Sequence, residues 1–287
     1  MKTLNPTAVQ NLCRAALAED IGSGDATTLA VVPENLEVTA RLLAKQDCVC
    51  AGLPVAEAVF KELSKAIVFE REKRDGDFCA KGTVLARVTG PARAILTGER
   101  TALNFLQRIS GIATLAKRYV DALGPHSKTK ILDTRKTTPG LRMLEKYAVA
   151  MGGAENHRFG LYDRVMIKDN HRMLAAIDGP FGITRAVKAC REKYPDLEVE
   201  VEADSIEEVE EAVEARADYI LLDNMTDEEM LEAVELVAGR SLLEASGGIT
   251  LERIADLAKI GVDYISVGAL THSAAAVDIS LDIQMPG

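Results

Sequence analysis

No stretch of this 287-residue chain approaches the roughly 18 consecutive apolar residues that a bilayer-spanning helix needs. The opening Met1-Lys2-Thr3-Leu4-Asn5-Pro6 also lacks the apolar run of a secretory signal, so a cytoplasmic protein without membrane attachment is expected. Positive charge is short as well. Lys and Arg total 34 against 44 Asp and Glu, a formal net charge of -10. That balance argues against sequence-independent attachment to nucleic acid or anionic lipid, although a basic pocket inside an acidic shell stays open. Cysteine is sparse: Cys13, Cys48, Cys50, Cys79 and Cys190 are odd in number and scattered, which points to reduced thiols. Cys48-Val49-Cys50 has no second Cys or His pair near it, so it does not read as a zinc site. Also missing are a GxxxxGK[ST] phosphate loop, a GxGxxG between strand and helix, a GxSxG elbow and an HExxH pair. No nucleophile stands out.

What is present is a core-forming chain, 47% hydrophobic and 27% charged, with a repeated pattern. From about residue 128 to 270, short β-prone runs end in a polar residue or glycine and an amphipathic helix pattern follows. The runs are 130–133, 165–168, 199–202, 219–223, 242–246 and 264–268. Repeated βα units predict a parallel sheet, open or closed. Ser205 with Glu208 and Thr226 with Glu229 fit capping boxes for two of the helices. The acidic run Glu207, Glu208, Glu210, Glu211 and Glu214 reads as a solvated helix face. The first third differs: a helix opening at Asn5-Pro6 is followed by β-prone stretches at 38–50, 67–71 and 84–88, which predicts a separate α+β domain. A long helical pattern over 92–123, interrupted at Gly111, joins the two.

In parallel sheets ligands bind at the carboxyl ends of the strands. Here those ends carry Asp133, Arg135 and Lys136; Lys168 and Asp169; Glu202; Asp223 and Asn224; Ser246-Gly247-Gly248; and Gly268. One such charge could simply reach water, but a charge or glycine at all six ends together marks a site. The glycines let backbone N–H groups approach a phosphate. Arg135, Lys136, Arg142, Lys146, His157 and Arg158 crowd into one short stretch of an acidic chain. Arg142 and Lys146 read as exposed helix charges, whereas Arg135, Lys136 and His157-Arg158 read as contacts to a polyanionic ligand.

The strings 19–28 (EDIGSGDATT), 98–104 (GERTALN), 133–140 (DTRKTTPG), 156–158 (NHR), 167–171 (IKDNH), 221–224 (LLDN) and 244–249 (EASGGI) together resemble the quinolinate phosphoribosyltransferases, in that family's order and over nearly the whole chain. The resemblance implies an incomplete TIM-like α/β barrel over 113–272, with an N-terminal α/β sandwich domain over 1–112 that the segment 273–287 rejoins. It implies conversion of quinolinate and phosphoribosyl pyrophosphate to nicotinate mononucleotide, pyrophosphate and CO2 with Mg2+, in a homodimer with shared active sites. Lys136, Lys168, Glu202 and Asp223 would be catalytic, with Glu202 and Asp223 near the metal, partly through substrate and water. Glu200 competes with Glu202 for that place. Arg135, His157 and Arg158, with Thr134 beside them, would hold the quinolinate carboxylates. Arg100 would reach the neighbouring subunit's site. Ser246, Gly247 and Gly248, and Val267, Gly268 and Ala269, would cradle the 5-phosphate. A related enzyme acting on another small acid and a non-catalytic phosphosugar-binding barrel are the alternatives.

Overall fold

The structure is a computed structural model that describes residues 3–177 and 179–284. It divides into two compact units, the described residues of Met1–Lys117, Thr138–Gly153 and Leu270–Gly287 in one, and those of Arg118–Thr137 and Ala154–Ala269 in the other. No helix among the described residues is long and apolar enough to cross a membrane.

The first unit opens with α1 (Pro6–Ile21), whose start is set by Asn5: its side chain accepts the Ala8 N–H at 3.1 Å and Pro6 supplies the preset φ. After α2 (Ala26–Val31), β1 (Glu37–Ala44) and β2 (Cys48–Val49) comes α3 (Leu53–Leu63), followed by β3 (Val68–Arg71), β4 (Phe78–Cys79) and β5 (Val84–Pro91). β1, β5 and β3 form an antiparallel sheet that the chain's last strand, Ile279–Gln284, completes by pairing with β1. The unit's core comprises Leu42, Leu85 and Val88 from the sheet and Val55, Val59 and Phe60 from α3, all fully buried. α4 (Ala92–Ala122) carries the chain onward without the expected break at Gly111. That glycine is needed for close approach, since a Cβ there would lie 2.1 Å from the Ala275 carbonyl oxygen.

The division differs from the expected one because α5 (Arg142–Met151) belongs to the first unit. Its Tyr147 hydroxyl donates to Asp75 at 2.7 Å, and its Glu145 pairs with Arg108 at 3.0 Å. Buried from Leu144 to Val149, α5 has little solvated face, and Lys146, expected to be an exposed helix charge, is fully buried.

The second unit is a six-stranded parallel sheet: β6 (Lys130–Leu132), β7 (Val165–Ile167), β8 (Val199–Ala203), β9 (Tyr219–Asp223), β10 (Leu242–Ser246) and β11 (Tyr264–Ser266). The order is β6-β11-β10-β9-β8-β7, that of a barrel cut between β6 and β7. Helices α6 (Asp169–Ala175), α7 (Gly182–Lys193), α8 (Ile206–Glu214), α9 (Asp227–Val237) and α10 (Ile254–Ile260) alternate with the strands from β7 onward. Strand parity divides the side chains: Val199, Val201 and Ala203 are buried in the core, while between them Glu200 meets His157 and Glu202 reaches the strand-end cavity.

Candidate active site

The carboxyl ends of the second unit's strands surround a cavity of about 580 Å³. Of the residues singled out in the sequence, it is lined by Thr134, Arg135, Lys136, His157, Arg158, Lys168, Glu202, Asp223, Ser246, Gly247 and Gly248. Val267, Gly268 and Ala269 follow β11 but do not line it, and Arg100 lies exposed on α4 in the first unit. Asn224, also read from its strand end, lines it too, and Met166, Leu221, Glu244 and Ser266 complete the wall. Glu244 has a signal in the sequence after all: two residues before Ser246 on one strand, it must share that residue's face.

Lys168 ends β7 and starts α6, with its backbone N–H given to His171 Nδ1 at 2.9 Å. His171 therefore serves the helix start. The Lys168 ammonium reaches Glu202 at 2.7 Å, and Arg172 braces the same strand end by donating to the Glu202 carbonyl at 3.0 Å and to Asp204 at 2.8 Å. Burial, and then the charge of Glu202, push the Asp223 carboxyl above its ordinary range. Two carboxylates that repel each other beside two lysines form a place where added positive charge is stabilised.

Asp133, at the end of β6, is buried and engaged by the turn that follows, accepting Asn156 Nδ2 at 2.7 Å and the His157 N–H at 2.9 Å. This ties 156–158 beside β6. Arg158 then spreads over the cavity, its guanidinium donating to the Arg164 carbonyl at 3.3 Å and Met166 Sδ at 3.4 Å. Burial and the neighbouring Arg135 lower its affinity for a proton, as two cations facing an anion site would do. His157 is buried below, its Nε2 within 3.2 Å of Glu200 and its Nδ1 accepting the Arg158 N–H at 2.7 Å.

On the opposite side, Gly247 takes φ +92°, and a Cβ on it would meet Asn224 Oδ1 at 2.1 Å. Gly248, at φ +59°, faces open space. Backbone N–H groups there are thus approachable by a ligand oxygen. Of the five cysteines, all free, none lines the cavity.

Residues 112–282 match the family model of the quinolinate phosphoribosyl transferase C-terminal domain, and residues 25–110 that of the N-terminal domain. Over 290 residues the chain is 45% identical to a chloroplastic nicotinate-nucleotide pyrophosphorylase [carboxylating] of Arabidopsis thaliana, covering 94% of this chain and 81% of the relative. It is 43% identical to a probable nicotinate-nucleotide pyrophosphorylase [carboxylating] of Bacillus subtilis, with 98% and 96% covered. The crystal structure of NadC from Streptococcus pyogenes superposes over the full length of both chains with a TM-score of 0.94 at 40% identity.

Proposed function

The chain belongs to the quinolinate phosphoribosyltransferase family, and from that premise we propose how its residues carry the family's reaction, phosphoribosyl transfer to quinolinate with loss of CO2 to give nicotinate mononucleotide for NAD biosynthesis. The observation that carries the reading is one cavity in an acidic chain lined by Arg135, Lys136, Arg158 and Lys168 together with Glu202 and Asp223. Such a set suits two polyanionic substrates that meet where positive charge develops on a sugar carbon.

Arg135 and Arg158 hold the carboxylates of quinolinate and orient its ring nitrogen toward C1 of phosphoribosyl pyrophosphate. The 5-phosphate rests on the N–H groups of the turn at Ser246-Gly247-Gly248, with the Val267-Gly268-Ala269 turn behind. As the C1–O bond breaks, Glu202 and Asp223 stabilise the positive charge on the ribose, while Lys136 and Lys168 neutralise the departing pyrophosphate. The donor set of Glu202 and Asp223, hard carboxylate oxygens of which Asp223 is pushed up by burial and by the charge of Glu202, fits Mg2+. When bound, that ion supplies charge neutralisation to the pyrophosphate. Attack by nitrogen makes the ring a pyridinium, which stabilises the electron pair left on the adjacent ring carbon when its carboxylate departs as CO2, and that carbon then takes a proton from water to give nicotinate mononucleotide. No covalent enzyme intermediate is required, which accounts for the missing nucleophile. A homodimer with shared sites completes the reading, Arg100 of each subunit serving the other.

The test is release of labelled CO2 from carboxyl-labelled quinolinate by the purified protein. Release that requires both phosphoribosyl pyrophosphate and Mg2+ is expected. Binding of both substrates without CO2 release would favour a phosphosugar-binding barrel instead.

A further inference from the structure

Glu244 and Glu200 have no part in the reaction as set out above, yet both are fully buried carboxyls in the barrel interior. They come from β10 and β8 and converge on one imidazole: His157 Nε2 lies 3.0 Å from Glu200 Oε2 and 3.5 Å from Glu244 Oε2, with the His157 ring 5% exposed. Buried carboxyls are costly unless paired, so such a convergence calls for a purpose.

The other ring nitrogen fixes how the cluster works. His157 Nδ1 accepts the backbone N–H of Arg158 at 2.7 Å. A proton on Nδ1 would point at that N–H, so the ring's hydrogen sits on Nε2 and is donated to the carboxyls. The carboxyls pull in the opposite sense: although burial opposes it, their hydrogen bonds and charge raise the imidazole's affinity for a second proton, toward about 9. The Arg158 N–H, which needs the Nδ1 lone pair, decides in favour of the singly protonated ring. Arg164 Nη1 stands 3.7 Å from Glu200 Oε2, and burial with the charge of Glu200 pushes the Glu244 carboxyl above its ordinary range. The same argument disposes of a metal ion, for which His157, Glu200 and Glu244 are spaced closely enough. Nε2 ligation would leave the ring's hydrogen on Nδ1, against Arg158 N–H.

We infer that Glu244 and Glu200 are positioning residues that clamp His157 from beneath, so that its Nδ1 fixes the backbone from which Arg158 presents its guanidinium to the quinolinate carboxylates. His157, which the resemblance counts among the carboxylate contacts, is then instead a bracket with both ring nitrogens engaged within the protein, and Arg158 is the contact to substrate. The inference rests on the proposed reaction, and the experiment separates the two.

Wild-type protein is assayed first, and failure to release CO2 from quinolinate and phosphoribosyl pyrophosphate would sink the reaction, not the bracket. With turnover in hand, Glu244→Ala is expected to raise KM for quinolinate by roughly 10- to 100-fold while KM for phosphoribosyl pyrophosphate moves by less than about threefold, because a misdirected guanidinium misplaces only one substrate. Glu244→Gln keeps a carbonyl acceptor for Nε2–H and is expected to restore the wild-type KM. Equal movement of both constants, or no movement of either, overturns the bracket. Should Glu244→Ala fail to fold, Glu200→Ala, which is expected to raise KM for quinolinate in the same selective way, and long-range nitrogen–proton NMR of the wild type remain. The NMR spectrum is expected to report His157 as the Nε2–H tautomer at neutral pH, and an Nδ1–H or doubly protonated ring overturns the inference.

Discussion

Lys168 is the residue on which the proposed chemistry leans hardest. Its ammonium is 2.7 Å from Glu202, so in the free protein it is already held at the strand end where the leaving group would depart. Replacement by alanine removes charge stabilisation worth roughly 3 to 4 kcal/mol in the transition state, which lowers turnover by on the order of 10^2 to 10^3. Steady-state kinetics on a folded Lys168→Ala protein check this, and near wild-type turnover would reject the role. A second expectation concerns the arginines. Arg135 acts on Arg158 as one cation on another. Nicotinate, which lacks the carboxylate beside the ring nitrogen, leaves that pair short of an anion, and an unmatched charge in a desolvated site is costly. It should therefore be a poor substrate, and comparable kcat/KM values for nicotinate and quinolinate would instead favour an enzyme for the simpler acid. The cations and the carboxylates of this site were legible in the sequence because strand ends announce themselves. Glu200 was legible only as a rival to Glu202, although parity on β8 places both on the interior face at different depths.

Among the elements, the same contrast holds between what is local and what is not. All six parallel strands fall where their β-prone runs predict, because pattern and turn residues are local signals. The place of α5 was not legible, since burial of Lys146 and the ties of Tyr147 and Glu145 are made by residues far along the chain. The two expected capping boxes divide in the same way. At α9 both halves form: Thr226 accepts the Glu229 N–H at 3.3 Å, and Glu229 accepts the Thr226 N–H at 2.7 Å. At α8 the Ser205 hydroxyl accepts the Glu208 N–H at 3.4 Å, but the Glu208 side chain is taken by Arg172 and by the Asp204 N–H. A distant arginine has thus captured half of a motif that is complete in the sequence. Thr226→Ala is accordingly expected to cost about 1 kcal/mol of stability, with Ser205→Ala costing less. Urea unfolding of the two variants measures both, and a larger loss for Ser205→Ala would contradict the geometry.

At the scale of the whole molecule, Arg135, Lys136, Arg158 and Lys168 line one cavity of a chain whose net charge is -10, and of the candidate site residues Arg100 alone lies in the first unit. In the proposed homodimer Arg100 works in its partner's site, whereas Lys168 works in its own. Arg100→Ala and Lys168→Ala proteins would then be deficient separately and complement each other when mixed. In a mixed two-fold dimer, one site carries both substitutions and the other carries neither. With random exchange about half of the dimers are mixed, so about a quarter of all sites become intact and activity should return to roughly that fraction of wild type. The mixture must first be shown to exchange, by mass spectrometry of differently tagged subunits. If exchange is complete and activity stays at the level of the separate variants, Arg100 acts in its own subunit's site or in none, because only a group acting across the interface can leave one site of a mixed dimer whole.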